Sequence, residues 1–170
     1  VFPLRSTLPE HNWATLSIQM PVSPPDSSFD VSVALLPEAP PRIEAAITYL
    51  QEQDFRNIVL IAHSFGAQMG TYYLAHSNQT RVSAFISIGL AAAEVGIMKT
   101  ADFMEKINIT MLDLYGSEDF PNVIGSAWVR AGAQSDNKTY QQIKVEGADH
   151  FFTNFEEEMT KAVSEYLATR

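Results

Sequence analysis

The sequence contains no cysteine, and this absence excludes several kinds of chemistry at once. Without cysteine there is no disulfide scaffold, no zinc site with thiolate ligands and no cysteine nucleophile. Basic residues are also few, with 11 Lys and Arg against 20 Asp and Glu and a net charge of −9. Because nucleic-acid binding needs clustered Lys and Arg to contact phosphates, no nucleic-acid partner is expected.

Long apolar runs and ligand-binding motifs are absent as well. No apolar run approaches the ~20 residues of a membrane-spanning helix, so no membrane span is expected. The sequence has no glycine-rich dinucleotide or phosphate loop and no HExxH zinc motif, and we therefore expect no cofactor and no metal ion. The length of 170 residues suits one globular domain, and 46% of these residues are hydrophobic, which is sufficient for a core.

The periodicity of apolar residues predicts strands that alternate with helices. Predicted strands cover 13–20, 57–62, 82–90, 109–115 and 140–145. Predicted helices cover 41–50, 65–76, 99–106, 127–133 and 154–170, with Asn154 as the N-cap of the last, and 1–11 could form another. Six prolines between residues 21 and 41 predict a long irregular loop. This alternation predicts an α/β fold, a three-layer sandwich with a mostly parallel sheet.

A serine between a predicted strand and a predicted helix is the clearest candidate for a functional residue. The run 58–61, rich in β-branched residues, is typical of a buried parallel strand, and Ser64 follows it closely. Small residues two positions before and after the serine, Ala62 and Gly66, fit a nucleophile elbow, a sharp turn that exposes the hydroxyl. The N–H of Phe65 would then point at a developing oxyanion. The alternative is a serine that only caps the helix.

A serine nucleophile needs a base, and His150 is the best-placed histidine. It follows the last predicted strand, and loops at the carboxyl ends of parallel strands gather at the edge of the sheet where Ser64 also lies. His63 is adjacent to the serine, but side chains alternate along a strand, so it should point away. His11 and His76 are separated from the serine by whole elements. A histidine in an ordinary surface loop is the alternative for His150.

The third candidate is a carboxylate that would orient the imidazole. Asp119 lies three residues after a glycine that ends a predicted strand, in the same set of loops as His150, whose tautomer it would fix. Glu118 is a competing candidate beside it. Asp113 lies within the strand and is expected to be structural, and Asp149 is expected to form an Asx turn.

The order Ser64, Asp119, His150, each after its own strand, resembles the α/β-hydrolase fold family. The segments NWATLS (12–17) and AHSFGA (62–67) are similar to an uncharacterised proteobacterial branch of that family, and the resemblance covers essentially all 170 residues. It implies a serine hydrolase that cleaves an ester or related acyl bond of a small-molecule substrate. Ser64, His150 and Asp119 would be catalytic, and Phe65 would contribute to the oxyanion hole.

The sequence departs from that family near its beginning. In the family, an oxyanion loop and several strands precede the first helix, and a central strand separates the equivalents of strands 13–20 and 57–62. The expectation is one α/β-hydrolase-like domain over 1–170 that is N-terminally incomplete and belongs to a longer chain, or else a first strand that pairs differently. A non-catalytic binding or scaffold protein, or a thioesterase or peptidase with the same triad, are the alternative functions. Oligomeric state and compartment, bacterial cytoplasm or periplasm, stay open.

Overall fold

The computed structural model describes residues 2–169, in which strands and helices alternate as expected. The strands are β1 (Val59–His63), β2 (Ala84–Ile88), β3 (Glu94–Val95), β4 (Met98–Lys99), β5 (Thr110–Glu118) and β6 (Tyr140–Asp149). The α-helices are α1 (Phe2–Thr7), α2 (Phe29–Val33), α3 (Ala39–Glu52), α4 (Phe65–His76), α5 (Thr100–Met104), α6 (Pro121–Gly125), α7 (Ala127–Ala133) and α8 (Glu156–Leu167). Short 3₁₀ helices cover Leu8–His11 and Leu36–Glu38.

Within residues 2–169, the main sheet has four parallel strands in the order β1-β2-β5-β6. Alternate residues of β2 enter different apolar clusters: Ile86 and Ile88 pack with α1 and α8, whereas Phe85 packs with α3 and α4. Side chains alternate between the two faces of a strand, so the helices cover both faces of the sheet. The predicted three-layer α/β sandwich is confirmed.

The segment between residues 21 and 41 is more regular than its prolines predict. It contains α2 and the 3₁₀ helix, and α3 begins at Ala39 rather than at Pro41. Val33 and Leu36 are buried against Met69 of α4 and Met98 of β4. Apolar packing therefore orders a segment whose local sequence is typical of a loop, and it places that segment beside the first turn of α4.

The strand predicted for residues 13–20 is wrong, because this segment has no regular secondary structure and pairs with no strand among the described residues. Its alternating residues are used for packing instead: Trp13 contacts one core cluster and Ile18 another. A cavity of about 700 Å³ lies between the segment, α3 and the free edge of β1. A strand needs a neighbour about 4.8 Å away to form a ladder. The cavity separates residues 13–20 from the edge of β1, so β1 is not such a neighbour. The expected alternative pairing of the first strand is thus also wrong.

The last helix is confirmed, but its predicted N-cap is not. Asn154 has φ +61°, a left-handed turn conformation, and α8 is preceded by Phe155 at the cap position. Three glutamates lie in the first turn of α8, where their negative charges stabilise the helix by interacting with the positive end of its dipole. Over residues 2–169, no helix combines the length and the apolar character required to cross a membrane.

Candidate active site

Ser64 lies at the sharp turn between β1 and α4. Its φ of +56° and ψ of −127° are rare for a residue with a side chain, and such strain is often found at functional sites. The turn is held on both sides, because Ser64 N–H donates to the Ile88 carbonyl of β2 at 2.8 Å and Ala67 N–H donates to the Ser64 carbonyl at 2.9 Å. The neighbouring strand and the helix together maintain the strained conformation.

The three side chains singled out by the sequence are in hydrogen-bond contact. Ser64 Oγ lies 2.8 Å from His150 Nε2, and His150 Nδ1 lies 2.6 Å from Asp119 Oδ1. Asp119 Oδ1 also accepts the N–H of Phe120 at 2.7 Å. Both His150 and Asp119 are only 4% exposed, so water competes little for these bonds. With its proton on Nδ1, where the carboxylate can accept it, the imidazole presents Nε2 as an acceptor for the serine proton.

The register of β5 and β6 explains why Asp119 and His150 meet. Glu118 pairs with Asp149 at the end of the ladder, after a register shift that begins at Gly116. Asp119 directly follows Glu118 and His150 directly follows Asp149, so these two residues lie side by side. A Cβ at Gly116 would collide with the Ala148 carbonyl, so the shift requires glycine. Glu118, the competing carboxylate, has an exposed side chain at the last ladder position and has no hydrogen bond to His150.

Two other carboxylates behave as expected from the sequence. Asp149 forms an Asx turn, in which its Oδ1 accepts the N–H groups of Phe151 and Thr153, each at 2.9 Å. The hydrogen bonds from Thr153, together with that from Phe151, lower the pKa of Asp149. Asp113 is fully buried within β5 and forms an ion pair with Arg130, with Nε and Oδ2 2.7 Å apart. Neither carboxylate contacts the imidazole of His150.

Phe65 is the first residue of α4, so its N–H has no acceptor one turn earlier within the helix. This leaves the group free for a ligand beside Ser64. A Cβ at Gly66 would meet no atom within 4 Å. Gly66 borders the cavity beside β1, and the open space on that side removes the steric reason for a small residue.

Two exposed aromatic side chains pack against the buried imidazole of His150. The ring of Phe120 stacks on the imidazole with centroids 4.2 Å apart, and Phe151 contacts it edge-on at 5.2 Å. Phe120 is 48% exposed and Phe151 is 68% exposed. Exposed apolar surface beside a polar site is typical of a ligand-binding region. Among the described residues, no group of three His, Asp or Glu side chains could hold a metal ion.

Two residues of this site were missed by sequence reasoning. Gly89, at φ +61°, lies under the imidazole, and a Cβ there would be 2.9 Å from His150 Cε1. His63, which was expected to point away from Ser64, has its Nε2 2.8 Å from the main-chain carbonyl of His150. Both contacts join segments that are far apart in the sequence, and no local pattern around Gly89 or His63 indicates them.

A family model matches residues 37–169 of the chain, a range that includes Ser64, Asp119 and His150. The chain belongs to DUF3530, a family of proteins of unknown function. None of the curated proteins matches this DUF3530 member.

Solved structures similar to this DUF3530 protein include some that are described as α/β hydrolases. Est1E from Butyrivibrio proteoclasticus, solved with ferulic acid bound, aligns with a TM-score of 0.73 at 18% identity over 99% of this chain and 81% of that one. A protein of unknown function and candidate α/β hydrolase from Agrobacterium tumefaciens aligns with a TM-score of 0.69 at 20% identity, over 99% and 75%. An α/β hydrolase from a lagoon-sediment metagenome of Mar Chica, Morocco, gives 0.62 at 11% identity, over 78% and 70%. At these identities the likeness establishes the α/β-hydrolase fold of the chain.

Proposed function

We propose that this protein is a serine hydrolase that cleaves an ester or related acyl bond of a small-molecule substrate. The observation that carries the proposal is the continuous chain of hydrogen bonds from Ser64 Oγ through the His150 imidazole to Asp119, with distances of 2.8 and 2.6 Å. A serine that only capped α4 would need no imidazole, and Ser64 makes no side-chain cap bond. The nucleophile–base–orienting group arrangement is the requirement for activating a serine hydroxyl.

Each residue of the site has a role in this reaction. Ser64 Oγ attacks the acyl carbon while His150 Nε2 takes the hydroxyl proton, and the resulting imidazolium then protonates the leaving group. Asp119 holds Nδ1–H and stabilises the imidazolium. The N–H of Phe65 donates to the oxyanion, and the positive end of the α4 dipole adds to this stabilisation. In the second half of the reaction, water attacks the acyl-enzyme with His150 again as the base, which releases the acid and regenerates Ser64.

The surroundings of the triad favour a substrate with an apolar group. Phe120 and Phe151 present exposed rings beside His150, and Phe29 contacts Phe65 with ring centroids 5.8 Å apart. An acyl or alcohol group in this region would gain about 25 cal/mol for each Å² of apolar surface removed from water. The net charge of −9 disfavours a polyanionic substrate.

A fluorophosphonate probe, which reacts only with activated serines, tests the proposal. We expect the probe to label the protein once, and we expect Ser64→Ala to lose the label entirely because the attacking oxygen is gone. Ser164→Ala, which changes a serine of α8, is the matched control and should be labelled like the wild type. Labelling would be read by intact-protein mass spectrometry.

The substrate class can be tested with the same two variants. Short-chain p-nitrophenyl esters, an acyl thioester and a p-nitroanilide would separate an esterase from a thioesterase or a peptidase. If the wild-type protein accepts no probe and hydrolyses none of the three substrates, a non-catalytic binding protein is the better interpretation.

Replacing Gly89 with alanine is expected to reduce labelling at Ser64 by ~100-fold or more, because ångström-scale misplacement of a catalytic group has effects of this size. The new methyl group would lie 2.9 Å from His150 Cε1 and 3.0 Å from Nδ1, closer than atoms can approach, so the imidazole must move. The rate of fluorophosphonate labelling measures the loss.

Gly132→Ala is the control for this substitution. Gly132 lies in α7 with no atom within 4 Å of a Cβ, so alanine should leave labelling unchanged and stabilise the helix by up to ~1 kcal/mol. Wild-type labelling by a folded Gly89→Ala protein would show that the imidazole does not occupy the position described above.

A further inference from the structure

His63 is the last residue of β1 and directly precedes Ser64. Its side chain reaches the loop that carries His150: His63 Nε2 lies 2.8 Å from the main-chain oxygen of His150. The two imidazole rings are 4.8 Å apart between centroids at an angle of 40°, and the ring of Phe151 lies 6.0 Å away. His63 therefore contacts the backbone and the side chain of the loop together.

The hydrogen bond fixes the protonation of His63. A carbonyl oxygen can only accept, so Nε2 of His63 must carry the hydrogen. Burial lowers the pKa of His63, and the nearby His150 lowers it further, while the hydrogen bond to the carbonyl and the charge of Asp119 act in the opposite direction. The net direction is downward, so His63 is neutral at pH 7 and its single N–H is committed to the His150 carbonyl.

Few hydrogen bonds define where the loop lies relative to the nucleophile. The bonds from Phe151 and Thr153 to Asp149 set the internal shape of the loop, and Asp119 holds Nδ1 of the imidazole. Among the hydrogen bonds of the described residues, only those from His63 and Ser64 join the loop to the end of β1. The Ser64 bond is the one that must break and reform in the proposed reaction, so it cannot also anchor the loop throughout.

We propose that His63 is a positioning residue that ties the main chain of the His150 loop to the end of the nucleophile strand. It keeps Nε2 of His150 in line with Ser64 Oγ in every state of the reaction, including those in which the Ser64–His150 bond is broken. The inference rests on the proposed serine hydrolase function. This role requires no contact of His63 with the substrate or with the transferred proton.

Two substitutions separate the hydrogen bond from the bulk of the side chain. Glutamine carries its amide nitrogen the same number of bonds from Cα as Nε2 of histidine, so His63→Gln keeps the donor, whereas His63→Met has similar length and no donor. We expect His63→Met to lower kcat on the best ester by about 10- to 100-fold with KM changed less than about threefold, and His63→Gln to recover most of the loss.

A spectroscopic readout keeps the inference independent of folding and of activity. In ¹⁵N-labelled wild-type protein at pH 7, the ring of His63 should be the neutral Nε2–H tautomer. The Nδ1–H proton of His150 should give a low-field resonance that is retained in His63→Gln and shifted or broadened in His63→Met. The midpoint of thermal unfolding of each variant shows whether the fold is intact.

The outcomes distinguish this inference from the proposed function. If the fluorophosphonate probe labels the wild type and a folded His63→Met protein equally fast, the positioning role is wrong and the hydrolase proposal stands. Equal losses in His63→Met and His63→Gln, or a His63 ring that is charged or protonated only on Nδ1, would also overturn it. If the wild type accepts no probe, the hydrolase proposal fails, and the tautomer of His63 still reports whether it donates to the loop.

Discussion

Replacing Asp119 with alanine is expected to lower kcat for ester hydrolysis by about ten-thousand-fold, the effect of removing the orienting carboxylate from a serine triad. Asp119 Oδ1 is the partner of His150 Nδ1 at 2.6 Å, and without it the imidazole can adopt the tautomer that leaves no acceptor for the Ser64 proton. Asp119→Asn should show a loss of similar size, because an amide can donate to Nδ1 and thereby stabilise the wrong tautomer.

Glu118→Ala is the matched control for Asp119→Ala. Glu118 is adjacent in the chain, carries the same charge and lies at the end of β5 with its side chain exposed. We expect this variant to keep kcat within about twofold of the wild type, since surface substitutions of this kind have small effects. Initial rates with a p-nitrophenyl ester, and fluorophosphonate labelling rates as a check, would measure both variants. A large loss in Glu118→Ala with activity retained in Asp119→Ala would reverse the assignment of the third triad member.

The parts of the fold predicted best are those in which the local pattern and the tertiary environment agree. The run 58–62 forms a parallel strand as predicted, although it is only partly buried because β1 is at the edge of the sheet, and the helix predicted over 65–76 has those bounds in the structure. Residues 13–20 alternate as a strand should, but a strand also needs a neighbour, and the sequence of a single segment carries no information about one. The segment instead packs its apolar residues beside the cavity at the edge of β1.

The candidate site could be predicted from chain order because parallel strands deliver their following loops to one edge of the sheet. Once the elbow pattern singled out Ser64, this rule selected Asp119 and His150 as its candidate partners without any knowledge of distances. It could not identify Gly89 or His63, since their importance comes from contacts with His150 across more than 60 residues of chain. Their roles depend on ångström-scale packing, which residue type and spacing do not encode.

The buried ion pair between Asp113 and Arg130 is expected to produce the largest effect on stability. Both side chains are fully buried, and Asp113 Oδ2 also accepts from Tyr140 Oη at 2.9 Å and from Gln142 Nε2 at 2.8 Å. Burial, together with the adjacent Asp113 carboxylate, raises the pKa of Tyr140, so this hydroxyl stays a neutral donor. The carboxylate thus joins β5 to α7 and to two side chains of β6.

Arg130 also extends this network towards the candidate site. Its Nη1 donates to the Val123 carbonyl at 2.7 Å and to Ser126 Oγ at 3.0 Å, which fixes α6 against α7. Because α6 starts immediately after Phe120, the residue that stacks on His150, the network supports one wall of the site. Loss of Arg130 should therefore lower both the stability of the protein and the rate at which Ser64 is labelled.

We expect Arg130→Met and Asp113→Leu each to reduce the free energy of unfolding by about 3–5 kcal/mol, because each leaves one uncompensated charge in the interior. The double variant should be more stable than either single variant, since it removes both charges, and Tyr140 and Gln142 still bond to each other at 3.0 Å. Removing the exposed Lys161–Glu165 pair, at 3.9 Å, should change stability by no more than about 0.5 kcal/mol. Urea unfolding followed by circular dichroism measures all four proteins. Losses that simply add in the double variant would mean that Asp113 and Arg130 do not compensate each other.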